Sequence, residues 1–335
     1  MNLWRKTRPP LAPRPMPTPV PAAVYRPTSS TPPPLPADEP TRVWMHGVLF
    51  VLTLLSMMAA GAMQQGVDPL VSLRTLVHLI EGVPFAATLL TILTVHEFGH
   101  YFAARSWGVK ASLPYFLPLP YVSFLGTLGA VIKIRSDIPH KRALLDIGAA
   151  GPLAGFAVAV GACIWGLMRS QIISNDYVYN PPIELGAPLL FSAIAHVVLP
   201  PLSPQQHVLL DPIAFAGWVG LFITAFNLFP IGQLDGGHIT YALFARWHRR
   251  IARLAFVVLV AMGLYGIVAM VWFPSWPSGW PGWLALAFFL TLFGKDHPAP
   301  FDSYTKLDRK RRRIGYLCLI VFALCFSPVP FSTPY

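Results

Sequence analysis

Thr94-Val95-His96-Glu97-Phe98-Gly99-His100 lies inside an apolar run from Gly82 to Ala104. Those 23 residues are long enough to cross a bilayer as a helix. Their only charged or imidazole side chains are His96, Glu97 and His100. A carboxylate near the middle of a bilayer costs about 2.5–3.5 kcal/mol on insertion scales, so an acid in that setting marks function. A metal ion offsets the cost. Helical spacing puts His96 and His100 on one face, one turn apart, with Glu97 beside them. In that geometry two imidazoles bind zinc and a carboxylate takes a proton from water.

The rest of the chain agrees with a membrane setting. Of its 335 residues, 54% are hydrophobic and only 12% charged, which predicts an all-α polytopic membrane protein. Cys163, Cys318 and Cys325 all sit in apolar stretches. An odd number without ligand-like spacing argues against a disulfide framework and against a thiolate metal site. The net charge of +11 could suggest nucleic acid, but its placement says otherwise. All Lys and Arg except Arg74 and Arg169 fall in four clusters: the N-terminal segment to Arg42, then 105–142, 246–253 and 295–313. These share one side if the membrane is crossed between them, which is a topology signal. No nucleic-acid partner is expected.

Residues 1–41 hold 13 prolines and few large apolar side chains in series, which predicts a disordered, cytoplasmic, proline-rich tail. It has no continuous apolar core of the kind a secretory signal needs, and too little serine for a typical transit peptide. The remainder, 42–335, reads as one multi-pass domain. Apolar stretches follow at Val43–Val67, at the His-Glu segment, at Ile147–Met168 and at Pro212–Leu234. Ala255–Gly294 is too long for one helix and is broken by Pro274, Pro277 and Pro281, giving two spans; Ile314–Phe326 is a last, short one. The expectation is about seven transmembrane helices, N-terminus cytoplasmic, in a cell membrane such as the bacterial inner membrane. Residues 111–135, with Gly126-Thr127-Leu128-Gly129 and an alternating Val131–Arg135, predict a short membrane-associated β segment at the cytoplasmic face. Leu189–Leu199 is too short to span and reads as an interfacial or re-entrant helix.

A second constellation, Asn227-Leu228-Phe229-Pro230-Ile231-Gly232-Gln233-Leu234-Asp235-Gly236-Gly237-His238, closes the Pro212–Leu234 stretch. Pro230 and Gly232 break the helix, and Gly236-Gly237 permit a tight turn that aims Asp235 back into the protein. Both constellations are expected toward the cytoplasmic half. A catalytic zinc needs three protein ligands and an open position, and His96, His100 and Asp235 supply the three.

Together the motifs, His-Glu-Phe-Gly-His followed by Asn-x-x-Pro-x-x-x-Leu-Asp-Gly-Gly, resemble the site-2 protease family of intramembrane zinc metalloproteases. The resemblance covers most of 83–240, the expected catalytic core. It implies one Zn2+ per chain held by His96, His100 and Asp235, with Glu97 as general base. It also implies that Asn227 holds the scissile peptide or its developing oxyanion, and that the substrate is a membrane-embedded protein segment. The family's Ala-Gly-Pro helix corresponds to Ala150-Gly151-Pro152, with Gly155 where many members carry Asn. Loops of at most about 40 residues leave no room for a PDZ domain, so the chain is similar to the PDZ-less branch.

Other features have plainer readings. Gly148, Gly151 and Gly155 are spaced for helix packing. Gly126–Gly129 reads either as a reverse turn or as part of an edge strand that pairs with unwound substrate. His238 is expected to be structural or to support a ligand, and Arg309–Arg313 to anchor topology against anionic lipid. The competing functions are a metal transporter using the His/Asp cluster as a transit site, and a catalytically silent scaffold. A transporter should line a path from both faces with ionisable groups; the last three expected spans carry none. The sequence does not define the oligomeric state or the natural substrate.

Overall fold

A computed structural model describes residues 42–174, 184–203, 205–273, 276–292, 302 and 304–332. The proline-rich tail expected over 1–41 lies outside the described residues. Helix α1 (Val43–Gln64) leads through a 3-10 turn, Thr75–Gly82, directly into α2 (Val83–Ser106). Pro84 starts α2, where its missing N–H costs nothing. At the other end Gly108 takes φ +70° and Val109 N–H bonds back to the Ala104 carbonyl at 3.0 Å, closing the helix.

Strands β1 (Tyr115–Pro118) and β2 (Thr127–Val131) form an antiparallel hairpin with Phe116 opposite Ala130. The hairpin was expected at one membrane face, yet its contacts run along α1. His46 Nδ1 donates to the Pro114 carbonyl (3.0 Å), and Phe50 meets Phe116 edge-on at 5.1 Å. Further along, Ser56 Oγ donates to Gly126 O (2.6 Å) and Gln64 Nε2 to Phe124 O (3.0 Å). From position 46 to 64 a helix rises about 27 Å, nearly a bilayer's hydrocarbon thickness. Period-two alternation reveals pairing but not depth. The turn of the hairpin is satisfied from within: Leu119 N–H bonds Gly126 O, Thr127 Oγ1 donates to Leu117 O, and Ser123 Oγ to Thr127 O.

Helix α3 (Lys141–Leu167) is capped by the His140 ring, which accepts from Ala143 N–H. After it come β3 (Gln171–Ser174), β4 (Glu184–Leu185), α4 (Leu189–Val198) and β5 (Gln206–Leu209), with β3 paired to β5. Helix α5 (Pro212–Asn227) starts at an Asp211 cap whose carboxylate accepts from Ile213 N–H. The expected 23-residue span therefore stops at 16 residues, because Pro230 cannot continue a helix. Helices α6 (Asp235–Phe244), α7 (His248–Trp272), α8 (Gly282–Leu292) and α9 (Arg309–Cys325) follow, and β6 (Phe331–Ser332) pairs with β4. Among the described residues four helical segments are long and apolar enough to cross a membrane: Val43–Gln64, Thr75–Ser106, Lys141–Leu167 and His248–Trp272. The stretch Leu189–Leu199, too short to span, forms the ten-residue helix α4.

The core lies between α2, α3 and α5. Phe85, Leu89, Ile92, Ala159, Cys163, Trp218 and Leu221 are buried there. Small residues bring α5 against α3: a Cβ at Gly217 would lie 2.7 Å from Cys163 N, and one at Gly166 only 2.1 Å from Ala214 N. All three cysteines are free and buried, as expected. The end of the described chain joins the same body. Phe331 packs on Trp218 (5.2 Å between ring centroids), Trp280 (5.6 Å) and, across the hairpin turn, Phe124 (5.2 Å).

Gly126 holds φ +75°, and a Cβ there would lie 2.4 Å from the Ser56 carbonyl oxygen. Gly126→Val should therefore cost at least about 1–2 kcal/mol from the left-handed backbone alone. A lower Tm of the detergent-solubilised protein, with more proteolysis at the hairpin, is the expected readout.

Candidate metal centre

Helical periodicity stacks His96 above His100 on one side of α2, with ring centroids 4.8 Å apart and planes at 71°. Both rings are buried, as is Glu97 on the same helix. Asp235 is the first residue of α6 and reaches the same point from the far end of α5. What brings it there is the turn after Asn227. Gly232 takes φ +56°, and the first turn of α6 tucks beneath the end of α5. A Cβ at Gly236 would lie 2.0 Å from Leu228 O, and one at Gly237 2.3 Å from Gly232 O. No residue with a side chain fits at either place, which is why the motif reads Asp-Gly-Gly.

The geometry is close. His96 Nε2 and His100 Nε2 are 3.1 Å apart; Asp235 Oδ2 lies 3.5 Å from the first and 3.3 Å from the second. One ligand atom from each residue lies within 4.8 Å of the others. His100 Nδ1 meets the Ile147 carbonyl at 2.7 Å. A carbonyl only accepts, so Nδ1 carries the hydrogen; a neutral His100 ring then keeps on Nε2 the lone pair that a metal ion needs. The donor set suits a divalent ion: two imidazole nitrogens and a carboxylate oxygen face one point. Among the described residues this is the one cluster of three such side chains.

The remaining expected residues fall around it. Asn227, at the last turn of α5, holds its Nδ2 3.4 Å from His96 Nε2. The backbone of Ile132, just beyond β2, lies beside the Glu97 carboxyl, so the hairpin ends near it. His238 packs with its Cβ 2.9 Å from where a Gly148 Cβ would be.

Two contributors were not evident beforehand. Gly148, Gly151 and Gly155 read as packing glycines, and they do pack, but against the site itself. A Cβ at Gly151 would sit 2.1 Å from His100 Nε2, and one at Gly155 3.1 Å from His96 Cβ. The signal was available: the glycines step by three and four along α3, matching the four-residue step of the histidines on α2. The Ile147 carbonyl left no such sign, since every residue has one.

A helical, apolar chain with a buried His-Glu-x-x-His helix and a converging aspartate defines a class of membrane-embedded metallopeptidase-like proteins. Comparison with known sequences narrows this. Residues 84–271 match the model of peptidase family M50, the site-2 protease family, and the chain belongs to that family. Among curated relatives, "Probable zinc metalloprotease EGY2, chloroplastic" of Arabidopsis thaliana is 31% identical over 268 residues, covering 79% of this chain and 45% of its own. "Probable zinc metalloprotease EGY1, chloroplastic" of the same plant is 33% identical over 230 residues, covering 62% of this chain and 41% of its own. "Probable zinc metalloprotease EGY3, chloroplastic" of Oryza sativa subsp. indica is 31% identical over 265 residues, covering 75% and 43%. The chain thus spans less than half the length of these relatives.

Gly151→Ala places a methyl where the His100 ring now lies. The variant should fold, because α3 gains a better helix former, yet bind less metal than wild type. Zinc per chain, measured by atomic emission on the purified protein, checks this.

Proposed function

We propose that this protein is an intramembrane zinc metallopeptidase that cuts membrane-embedded or membrane-anchored protein segments. His96, His100 and Asp235 would hold one zinc ion, which when bound supplies a Lewis acid able to polarise a carbonyl and activate water near neutral pH. The chain's own residues do the rest. Glu97, buried beside the histidines, takes a proton from the attacking water and delivers it to the leaving nitrogen. Asn227, next to His96, donates its amide hydrogens to the scissile carbonyl as charge develops on the oxygen. The Ile147 carbonyl keeps the His100 ring in one tautomer and orientation. Support for this reading comes above all from the convergence of His96, His100 and Asp235 beside a buried carboxylate on the same helix. The family and the naming of its relatives as zinc metalloproteases agree.

Substrate delivery follows from the hairpin. Strand β2 pairs with β1 on one side only, and the chain just beyond its end passes beside Glu97. An unwound substrate segment laid along its free edge would pass the base in extended form, as strand addition requires. The catalytic core is assigned to about 83–240 within a membrane domain of 42–335. We further infer seven crossings: α5, α8 and α9 add to the four long helices, with the basic clusters and the N-terminal side on one face, the cytoplasmic one by charge. The bacterial inner membrane expected from the sequence has no counterpart among the relatives named above, which are described as chloroplastic. A transporter finds no matching path: beyond Arg253 in α7, through α8, and beyond Arg313 in α9, no Asp, Glu, Lys, Arg or His occurs.

Glu97→Gln should lower cleavage by 100-fold or more, about the size of a general-base contribution, while zinc stays bound, because the base is not a ligand. Asp235→Ala should lose metal and activity together. Comparing membrane-anchored fragments between wild-type and Glu97→Gln cells by proteomics tests the reading; an unchanged fragment pattern overturns it.

A further inference from the structure

Near the His–Asp cluster, side chains from the end of α2 and the start of α9 meet at one carboxylate on α3. Asp146 lies in the second turn of α3, one residue before Ile147. Its Oδ2 accepts from the indole N–H of Trp107, the residue that ends α2, at 3.1 Å. Arg311, in the first turn of α9, donates from Nε to both carboxylate oxygens at 3.0 Å and from Nη2 to Oδ2 at 2.8 Å. The guanidinium also lies over the Trp107 ring, 5.3 Å from its centroid. Arg311 is itself oriented by Asp308, which caps α9, accepts the Arg311 N–H at 2.9 Å and pairs with the guanidinium. Those bonds, the backbone one foremost, hold the Asp308 carboxyl below its ordinary range, so it stays charged. The Asp146–Arg311 pair is only about a quarter exposed, so solvent screens it less than a surface pair.

The location matters because of what adjoins it. Ile147 presents its carbonyl to His100 Nδ1, and its side chain is buried in a small separate cluster with Ala104 and Val109. Both α2 contacts, at His100 and Trp107, therefore fall on adjacent residues of α3. Moving residue 146 relative to α2 moves the acceptor of the His100 ring. We propose that Asp146, clamped by Arg311 and Trp107, is a positioning residue that sets the His100 imidazole by fixing the Ile147 carbonyl against α2. The inference rests on the metal-binding reading above and adds α9 to the machinery: the last helix, more than 160 residues away in sequence, holds a first-ligand histidine in register.

The test uses the full chain in detergent, stripped of metal and reloaded with cobalt(II), whose visible d–d bands report ligand orientation. Asp146→Asn should shift those bands and weaken metal binding about tenfold, the lower end for groups that orient a ligand. Arg311→Ala should do the same, and Asp146→Glu should recover part of the wild-type spectrum. Arg169→Ala, which breaks the Arg169–Asp211 pair at the start of α5, controls for general destabilisation: Tm falls, the spectrum does not. If Asp146→Asn does not fold, Trp107→Phe removes only the indole N–H and should shift the bands in the same direction. Wild-type protein that takes up no cobalt overturns the metal reading and this inference with it. Cobalt-loaded wild type with an unchanged spectrum and affinity in the folded Asp146 or Trp107 variants overturns this inference alone.

Discussion

The convergence of three polar side chains on one buried point is the constraint on which the structure turns. Two imidazole nitrogens 3.1 Å apart and a carboxylate oxygen within 3.5 Å of both face each other in an apolar interior. Such an arrangement suits a cation among the three groups, with surroundings that hold each ring in place. Nearly every unusual local choice in the chain serves that end. Gly151 leaves room for the His100 ring, Gly236 and Gly237 let α6 start beneath α5, and Ile147 gives up a carbonyl lone pair to the ring nitrogen that faces away.

Helix packing sets how close these groups come. Small residues along α3 let it approach α2 and α5 at near backbone distance, which carries His96 and His100 to the end of α5 where Asn227 and Asp235 arrive. In a membrane, lipid is as apolar as leucine, so close packing rather than hydrophobic exclusion holds helices together. A methyl group on α3 would therefore press directly on the centre.

The convergence of His96, His100 and Asp235 was legible because metal chemistry restricts residue types and helical periodicity restricts spacing: His96 and His100 share a face, and Gly236-Gly237 announce a turn at Asp235. A hairpin within 111–135 was legible, but its second strand is Thr127–Val131, which includes Gly129, rather than the alternating Val131–Arg135, where past Val131 only Ile134 forms a bridge, to Ala111. Its course along α1 depends on His46, Ser56 and Gln64, which carry no local signal for it. The β3–β5 and β4–β6 pairs went unseen since strands of two to four residues contain too few alternations. The Pro212–Leu234 stretch read as a full span because hydropathy sums over Pro230, although the backbone does not. Asp146 with Arg311 lay beyond any reading of nearby residues, being joined only by the fold.

Phe331 has a mechanical meaning. Its ring bridges the turn of the β1–β2 hairpin, through Phe124, to Trp218 in the middle of α5 and to Trp280 ahead of α8. Each such aromatic pair is worth about 0.5–1.5 kcal/mol beyond its buried area. Swinging the hairpin turn away from α5 therefore means unseating the carboxy-terminal strand at the same time, and the two displacements share one energetic cost.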